Sequence, residues 1–274
     1  MRKPICKEDA DNFAFRGYVH SLILDRKNVP DAKRYPFSLA ALRSLDTLAL
    51  HPQVTFFVGE NGTGKSTLVE AIAVAWGFNA EGGSRNFEFT TRASHSRLSD
   101  HVTLVKGVHR PKDGFFLRAE SFFTVASEIE RLDKAGGGPP IIDSYGGRSL
   151  HEQSHGESFM ALIMKRFHGN SFYVLDEPEA ALSPMRQMAM LARIHQLVAQ
   201  QCQFIIATHS PILMAYPGAL ILQLSEEGIM PVEYAQTEHV TITRAFLNNP
   251  ERMLSILLGG DAGHQNDRND RNEE

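Results

Sequence analysis

A glycine-rich segment that ends in a lysine and a serine has the residue types and spacing needed to hold a chain of phosphates. It fits the pattern G-x-x-x-x-G-K-[ST], follows an apolar run and precedes a helical pattern. Glycines let successive backbone N–H groups point at an anion, and the first turn of the helix adds positive potential. The predicted nucleotide contacts are Gly59, Glu60, Asn61, Gly62, Thr63, Gly64, Lys65, Ser66 and Thr67.

Two side chains of this segment have distinct chemical roles in such a site. The Lys65 ammonium would reach the β- and γ-phosphates, and the Ser66 hydroxyl is a ligand for Mg²⁺. The sequence therefore predicts ATP and Mg²⁺ as the bound cofactors, with Lys65 among the catalytic residues.

A pair of acidic residues follows another apolar run and supplies the second half of the predicted site. Asp176 and Glu177 come directly after Phe172–Leu175. Asp176 is predicted to hold Mg²⁺ through water, and Glu177 to polarise the water that attacks the γ-phosphate.

The elements that must position these residues are visible as apolar runs. A continuous run of β-branched and aromatic residues is typical of a strand buried on both faces. A polar turn that ends in Gly228 predicts a hairpin between the last two runs. The predicted strands are Tyr18–Leu24, Val54–Val58, Phe172–Leu175, Phe204–Ala207, Ala219–Leu224 and Ile229–Tyr234.

Helical patterns lie between these strands. Lys65–Trp76 is apolar nearly all round, and Ser183 followed by Pro184 is typical of a helix start. Alternating strands and helices predict an α/β fold with a mostly parallel wound sheet and an antiparallel β portion. The stretch from 122 to about 168 has helical pattern and no convincing strand, which predicts a small inserted helical lobe.

Composition bounds the class of protein. The chain has 274 residues, a formal net charge of −4 and 42% hydrophobic residues, which is ordinary for a globular domain. The sequence has two cysteines, and it shows neither a signal-peptide pattern nor a long apolar stretch. We therefore expect a cytoplasmic protein. We expect one domain over 1–258 and a disordered polar tail over 259–274.

Four motifs of this chain resemble those of ABC-type ATPases, especially the RecF, structural-maintenance-of-chromosomes and overcoming-lysogenisation-defect branches, and they occur in the same order along the chain. The first is the phosphate-binding segment. Asp176–Pro184 resembles the Walker B motif and the D-loop, and Gln153–Glu157 is similar to the ABC signature. Thr208–Ser210 resembles the switch-histidine segment.

The resemblance implies a P-loop NTPase of ABC-ATPase head type that forms a homodimer around two ATP molecules. Ser154, Gly156 and Glu157 would then lie at the nucleotide held by the partner subunit. Glu177 would act as the general base, and His209 would orient the γ-phosphate and the water. An unidentified protein partner would respond to the cycle, and repair of DNA or phage defence are processes in which such heads act.

This chain departs from the family pattern in three ways. ABC ATPases have a glutamine between the phosphate-binding loop and the signature, whereas this chain has none between Gln53 and Gln153. Glu120 lies where that loop falls and is the predicted substitute near the metal. His155 and Glu157 replace a glycine and a glutamine of the signature. The stretch from 121 to 150 is too short for a long coiled coil, so we expect a compact head.

Three alternatives remain open at this point. Size and motif order also permit a nucleotide-binding subunit of a membrane transporter, against which stand the missing glutamine, the altered signature and the D-loop Ala181–Pro184. A membrane would be a partner only in that case. The segment His151–His155 matches H-E-x-x-H, a zinc peptidase pattern, with Glu177 or Glu179 as a third ligand. A locally basic region is a candidate for binding nucleic acid and contains Arg85, Arg92, Arg97, Lys106, His109, Arg110 and Lys112.

The residue that contacts adenine is the least defined part of the predicted site. Tyr35 and Phe37 precede the phosphate-binding loop and are candidates for stacking on the base. Packing in the core, or in a turn around Pro36, is the favoured interpretation for both.

Overall fold

A computed structural model describes residues 15–29, 31–85, 96–136, 140–145, 147–152 and 154–259. Of the predicted tail, these residues include Gly259 alone. Gln153 of the signature and Arg92 of the basic region also lie outside the described residues. The strands are β1 (Val19–Leu24), β2 (Thr47–Ala49), β3 (Val54–Val58), β4 (Val102–Lys106), β5 (Asp113–Arg118), β6 (Ser171–Asp176), β7 (Gln203–Ala207), β8 (Leu220–Ser225) and β9 (Gly228–Pro231).

The α-helices are α1 (Ala40–Arg43), α2 (Lys65–Trp76), α3 (Phe122–Ala135), α4 (His155–Ala161), α5 (Pro184–Val198), α6 (Pro211–Met214), α7 (Glu238–Asn248) and α8 (Pro250–Leu257). A π-helical turn, Leu162–Arg166, continues α4. Short 3-10 turns lie at Arg26–Asn28, Arg97–His101, Ile141–Tyr145, Leu150–Glu152, Pro178–Ala181 and Tyr234–Gln236. Among the described residues, no helix combines the length and the apolar character that a bilayer crossing needs.

The described strands form two sheets. Six of them lie in the order β5-β6-β7-β3-β8-β9, and every pair except β8-β9 is parallel. The other three form an antiparallel sheet in the order β2-β1-β4. This arrangement confirms the predicted α/β fold, with its mostly parallel sheet and antiparallel portion.

The predicted and observed elements differ mainly at their ends. Helix α2 has the predicted bounds, and α5 begins at Pro184 as expected. The predicted strand Ile229–Tyr234 is wrong in its second half, because β9 ends at Pro231 and a 3-10 turn follows. Proline has no N–H for a ladder, which explains the early end. Strands β2 and β4 were not predicted, and β5 contains the strand-like run Gly114–Leu117 that precedes Glu120.

Strand β6, between β5 and β7, is buried on both faces, and its alternate residues belong to two separate apolar cores. Tyr173 and Leu175 pack in one core, and Phe172 and Val174 pack in the other. Trp76 at the end of α2 contacts Phe172 with ring centroids 4.8 Å apart. Burial on both faces is what the continuous apolar run predicts, and it holds the end of β6 rigidly.

A buried glutamine joins the N-terminal sheet to the large one. Gln203 in β7 is fully buried, and its Oε1 accepts hydrogen bonds from the backbone N–H groups of Tyr18 (2.8 Å) and Val19 (2.9 Å). Its Nε2 donates to the carbonyls of Val19 (2.7 Å) and His51 (2.9 Å). One side chain therefore satisfies four backbone groups at the junction of β1, β3 and β7.

We expect Gln203→Leu to lower the free energy of unfolding by about 2–4 kcal/mol, because buried backbone groups lose their partner. Chemical denaturation monitored by circular dichroism measures this change. Gln196→Leu, on the exposed side of α5, is the matched control and should change stability by less than about 0.5 kcal/mol. Equal stability of the two variants would contradict the proposed clamp.

Candidate nucleotide-binding site

The carboxyl ends of the parallel strands bring the predicted site residues to one edge of the sheet. Arg118 at the end of β5 pairs with Asp176 at the end of β6, and Asp176 pairs with Ala207 at the end of β7. Ala207 in turn pairs with Phe57 of β3, just before the phosphate-binding loop. In wound parallel sheets this edge is the place where ligands bind.

The phosphate-binding loop needs glycine at two positions for different steric reasons. Gly59 has φ of 138°, and a Cβ there would collide with the Leu224 carbonyl oxygen of β8. Gly64 has φ of 100°, and a Cβ there would lie 2.8 Å from Leu39 Cδ1. Between them Glu60, Asn61 and Gly62 are exposed, so the loop is open to a ligand. The loop leads directly into α2, as the phosphate-binding pattern requires.

Lys65 is buried beneath this loop, and its side chain stabilises the conformation of the loop. Its Nζ donates to the carbonyls of Gly59 (2.9 Å) and Glu60 (2.8 Å). Burial lowers the pKa of the ammonium, and the nearby carboxylates of Glu177 and Asp176 partly restore it. The charge therefore lies at the loop, where it is hydrogen-bonded to backbone carbonyls.

Asp176 and Ser66 provide oxygen donors that suit Mg²⁺. Asp176 is buried, its carboxylate accepts a hydrogen bond from Ser66, and its Oδ1 has no hydrogen-bond partner among the described residues. Burial raises the pKa of this carboxyl to about 6, against the lowering effect of Arg118 and Ser66. A hydroxyl beside a buried carboxylate oxygen without a partner fits a hard cation, which takes its other ligands from phosphates and water.

Two residues that sequence reasoning missed hold Asp176 in place. Arg118 donates from Nη1 to Glu70 Oε2 at 2.6 Å, and its Nε lies 3.5 Å from Asp176 Oδ2. Glu70 is itself buried in α2 and accepts a hydrogen bond from the Ser96 backbone. A glutamate inside an otherwise apolar helix is the signal in the sequence that could have indicated this buried ion pair.

Glu120 lies at the rim of a groove beside the predicted metal position. Its side chain is 87% exposed, with Oε2 3.8 Å from Arg118 Nη2. The groove has a volume of about 380 Å³ and is also lined by Ser66, Thr67 and Tyr35. Glu120 is therefore near Ser66, as the prediction requires, but it makes no direct contact that assigns it a role.

The two aromatic candidates for adenine binding have different environments. Phe37 is buried, with its ring edge-on to His101, so the expected core packing holds for this residue. Tyr35 is 64% exposed and its hydroxyl hydrogen-bonds Thr67 Oγ1 at 2.8 Å. Tyr35 is not packed in the core; it lies in the turn around Pro36, the other expected alternative, and lines the groove.

Glu177 has a strained backbone that directs its side chain toward the switch histidine. It is in the left-handed region with φ of 50°, which is uncommon for a residue with a side chain and clusters at functional sites. Its Oε1 lies 3.5 Å from His209 Nε2. The predicted base and the predicted phosphate sensor are thus neighbours in one chain.

Two further residues hold His209 and were not assigned this role from the sequence. Glu179 Oε1 accepts a hydrogen bond from the His209 backbone N–H at 2.5 Å. The Nε2 of His239, at the start of α7, lies 2.8 Å from His209 Nδ1. A lone histidine thirty positions downstream gives no pattern that sequence reasoning could use, so His239 became visible only in the fold.

The signature residues are at the start of α4, and their contacts lie away from the phosphate-binding loop of the same chain. Glu157 accepts hydrogen bonds from the Ser154 backbone N–H (3.1 Å) and hydroxyl (2.7 Å). Gly156 is buried, and a Cβ there would lie 2.9 Å from the Ala181 carbonyl oxygen and collide with Arg186. Ser154 and Glu157 are exposed and remain available to another molecule.

The structure does not support the zinc peptidase pattern. His151 belongs to a 3-10 turn, whereas His155 begins α4, so the two histidines do not share one helix. Their rings lie against Phe123, with centroid distances of 5.7 and 4.3 Å. Within the described part of the chain, no group of three or more histidine, cysteine or acidic residues has an arrangement that could hold a metal ion.

The described members of the basic region are on exposed positions of the chain, and one of them packs on an aromatic ring. Lys106 Nζ lies 4.7 Å from the centre of the Trp76 ring. The others described, Arg85, Arg97, His109, Arg110 and Lys112, are exposed. Exposed charges of this kind are also the normal solvated surface of a globular protein.

The AAA domain family matches residues 38–131 of this chain. Comparison with curated proteins gave no match. The SMC head domain from Thermotoga maritima is similar at 17% identity and a TM-score of 0.42, over 79% of this chain and 99% of that chain. The protein cbiO1 from Clostridium perfringens, part of the ABC transporter complex cbiONQ, is similar at 17% identity and a TM-score of 0.43, over 88% and 99%. An SMC head bound to the winged-helix domain of ScpA is similar at 14% identity and a TM-score of 0.41, over 68% and 92%.

The AAA domain match includes the phosphate-binding loop and α2, whereas the acidic pair, the D-loop and the switch histidine follow it along the chain. The loop, the acidic pair and the switch histidine follow parallel neighbouring strands, and the signature lies in the helical segment before β6. The order of motifs, the sheet and the AAA-domain match over the phosphate-binding loop together fit an α/β P-loop NTPase.

Proposed function

We propose that this protein binds Mg²⁺ and ATP and hydrolyses ATP to ADP and phosphate. The observation that supports this most directly is the convergence of four groups at one sheet edge. They are the Lys65 ammonium, the Asp176 and Glu177 carboxylates and the His209 imidazole. These are the groups that phosphoryl transfer to water needs around a γ-phosphate.

Each group has one task in the proposed reaction. Backbone N–H groups of the loop and Lys65 hold the phosphates, and Ser66 and Asp176 are the residues that would hold Mg²⁺, which supplies positive charge for the developing negative charge. Glu177 takes a proton from water as the water oxygen bonds to the γ-phosphorus. The bond from that phosphorus to the bridging oxygen of ADP breaks, and His209 donates a hydrogen bond to the γ-phosphate. Glu120, on the rim near Ser66, is proposed to orient the metal or the water.

We further propose that two copies associate head to tail on ATP. Ser154 and Glu157 are exposed; Glu157 binds Ser154 and lies 3.8 Å from Arg186 of α5, so both residues are accessible to the site of a partner subunit. Ser154, Gly156 and Glu157 would then complete the γ-phosphate site of the other copy. ATP would be part of the interface, and hydrolysis would release it.

Exposed apolar side chains support the proposal that a second, different protein binds this domain. They are concentrated on α7 and α8, and such a patch marks an interaction surface more often than free surface. The largest are Ile242 (54% exposed), Leu247 (70%), Ile256 (66%) and Leu257 (69%).

We expect Lys65→Ala to lower kcat/KM for ATP by about 100-fold or more, because the buried ammonium is the charge nearest the proposed phosphates. A phosphate-release assay in excess Mg²⁺ measures the change. Lys112→Ala, at an exposed lysine, is the matched control and should retain activity. A zinc chelator should have no effect on the wild type, and normal hydrolysis by Lys65→Ala would refute the assignment.

We expect Glu177→Gln to bind ATP normally and to hydrolyse it about 10²–10⁴-fold more slowly, because the amide cannot accept the proton from water. Trapped ATP should then hold two copies together. Size-exclusion chromatography with light scattering should give a dimer with Mg²⁺ and ATP and a monomer without them. Glu233→Gln, at an exposed glutamate, should show no trapped dimer. A Glu177→Gln protein that stays monomeric with saturating ATP contradicts the sandwich.

Mixing two inactive variants tests whether the site is shared between subunits. Ser154→Arg places a bulky charge at the exposed start of α4, and its monomer should still bind ATP. A substitution at Gly156 is unsuitable because the residue is already packed against Ala181 and Arg186. In a mixed dimer with Lys65→Ala, one composite site contains both changes and the other contains neither.

We expect the mixture to recover up to about a quarter of wild-type activity, because half of the randomly formed dimers are mixed and each has one intact site. ATPase assays of each variant alone and of a 1:1 mixture measure this. Unfolding temperatures of both variants serve as the folding control. Full activity of Ser154→Arg alone would show that the start of α4 has no role in the site.

A further inference from the structure

Two histidines from distant parts of the chain share a hydrogen bond at the edge of the candidate site. His209 follows β7, and His239 is in the first turn of α7. The distance between His209 Nδ1 and His239 Nε2 is 2.8 Å, and the ring centroids are 4.9 Å apart. A contact this short between two ring nitrogens requires that one of them carries a proton and the other a lone pair.

The environment of the other ring nitrogen of His209, Nε2, determines which tautomer of this imidazole is stable. His209 Nε2 is buried, has no hydrogen-bond partner among the described residues and lies 3.5 Å from Glu177 Oε1. A lone pair at Nε2 would face a carboxylate and be repelled, whereas an N–H there is attracted to it. The Nε2 of His209 therefore carries the proton when the imidazole is neutral.

Both imidazoles are held in the neutral form. Burial lowers the pKa of His209, with the Lys65 ammonium and His239 as further causes, against the raising effect of Glu177. Burial also lowers the pKa of His239, again with Lys65 as a further cause, while Glu238 and Glu60 oppose it. Glu179 also faces this group, through the His209 backbone. A neutral imidazole has one N–H, so a proton on Nε2 of His209 leaves its Nδ1 as an acceptor.

We propose that His239 is a positioning residue that donates its Nε2–H to His209 Nδ1 and thereby fixes the tautomer in which His209 presents an N–H to the nucleotide. This inference rests on the proposed function for its consequence, since the N–H is the group that would reach the γ-phosphate. His239 touches no reacting atom itself, and it acts through His209.

The bond also joins the nucleotide site to α7. Val240, next to His239, is the only buried residue of α7 in the described structure; His239 is half-buried, and the other residues of the helix are exposed. The histidine pair is therefore one of the few contacts that hold this helix at the site. A change in His209 on nucleotide binding would be transmitted to the first turn of α7.

Nuclear magnetic resonance of the nucleotide-free full chain, labelled with ¹⁵N-histidine, tests the proposal directly. Two-bond ¹H–¹⁵N spectra give the protonated nitrogen of each ring, and coupling across an N–H···N bond identifies the donor. His209→Gln and His239→Gln assign the signals. We expect a proton on His239 Nε2 that couples to His209 Nδ1. A proton on His209 Nδ1, or no coupling between the rings, would overturn the proposal.

Two substitutions of equal size separate donation from packing. His239→Gln retains an N–H donor and should keep kcat within a few-fold of wild type. His239→Glu supplies only acceptor oxygens, so a neutral His209 must carry its proton on Nδ1, and kcat measured at alkaline pH, where the imidazole is neutral, should fall by about 10-fold or more with KM unchanged. Gln236→Glu adds the same charge at an exposed position of the preceding turn and should have no such effect.

The outcomes distinguish failure of this inference from failure of the proposed function. Equal kcat for His239→Gln and His239→Glu, with His209 still protonated at Nε2 in both, would refute the positioning role. The ring coupling is measured without nucleotide, so it reports on His239 even if Lys65→Ala leaves ATP hydrolysis unchanged, which would refute the function alone. Unfolding temperatures of all variants verify that they are folded.

Discussion

A buried carboxylate at the end of strand β6 is the constraint on which the site depends. Asp176 is forced inside by the apolar run of β6, and burial raises its pKa to about 6. Because folding raises this pKa, the ionised form lowers the stability of the fold as pH rises toward neutrality. Arg118, held by the buried Glu70, and the Ser66 hydroxyl only partly compensate. A cation at the unpaired Oδ1 would offset this cost, which links metal binding to the stability of the sheet edge.

The surrounding structure keeps the functional groups close to this carboxylate. The parallel register aligns the ends of β5, β6 and β7, and the left-handed backbone at Glu177 turns the next carboxylate toward His209. Glu179 and His239 hold the histidine from two directions. Rigid strands position the ends, and short loops carry the chemistry, which is the usual division in folds of this class.

The sequence predicted the parts of the site that depend on local pattern. The loop from Gly59, the bounds of α2 and the acidic pair after β6 all follow from spacing and apolar periodicity. The parts that depend on distant contacts could not be predicted. His239 meets His209, and Arg118 meets Glu70, only because the sheet brings their elements together. Strands β2 and β4 alternate exposed and buried residues over short runs, so their pattern was too weak to predict.

The central claim is that this sheet edge, completed by a second copy, is the site of ATP hydrolysis. A crystal structure of Glu177→Gln with Mg²⁺ and ATP tests it most directly. The account predicts phosphates against the loop from Gly59 to Ser66, a cation between Ser66 and Asp176, and Ser154 of a second copy facing the γ-phosphate. A nucleotide bound elsewhere, or a γ-phosphate open to solvent with no second copy over it, would contradict the account.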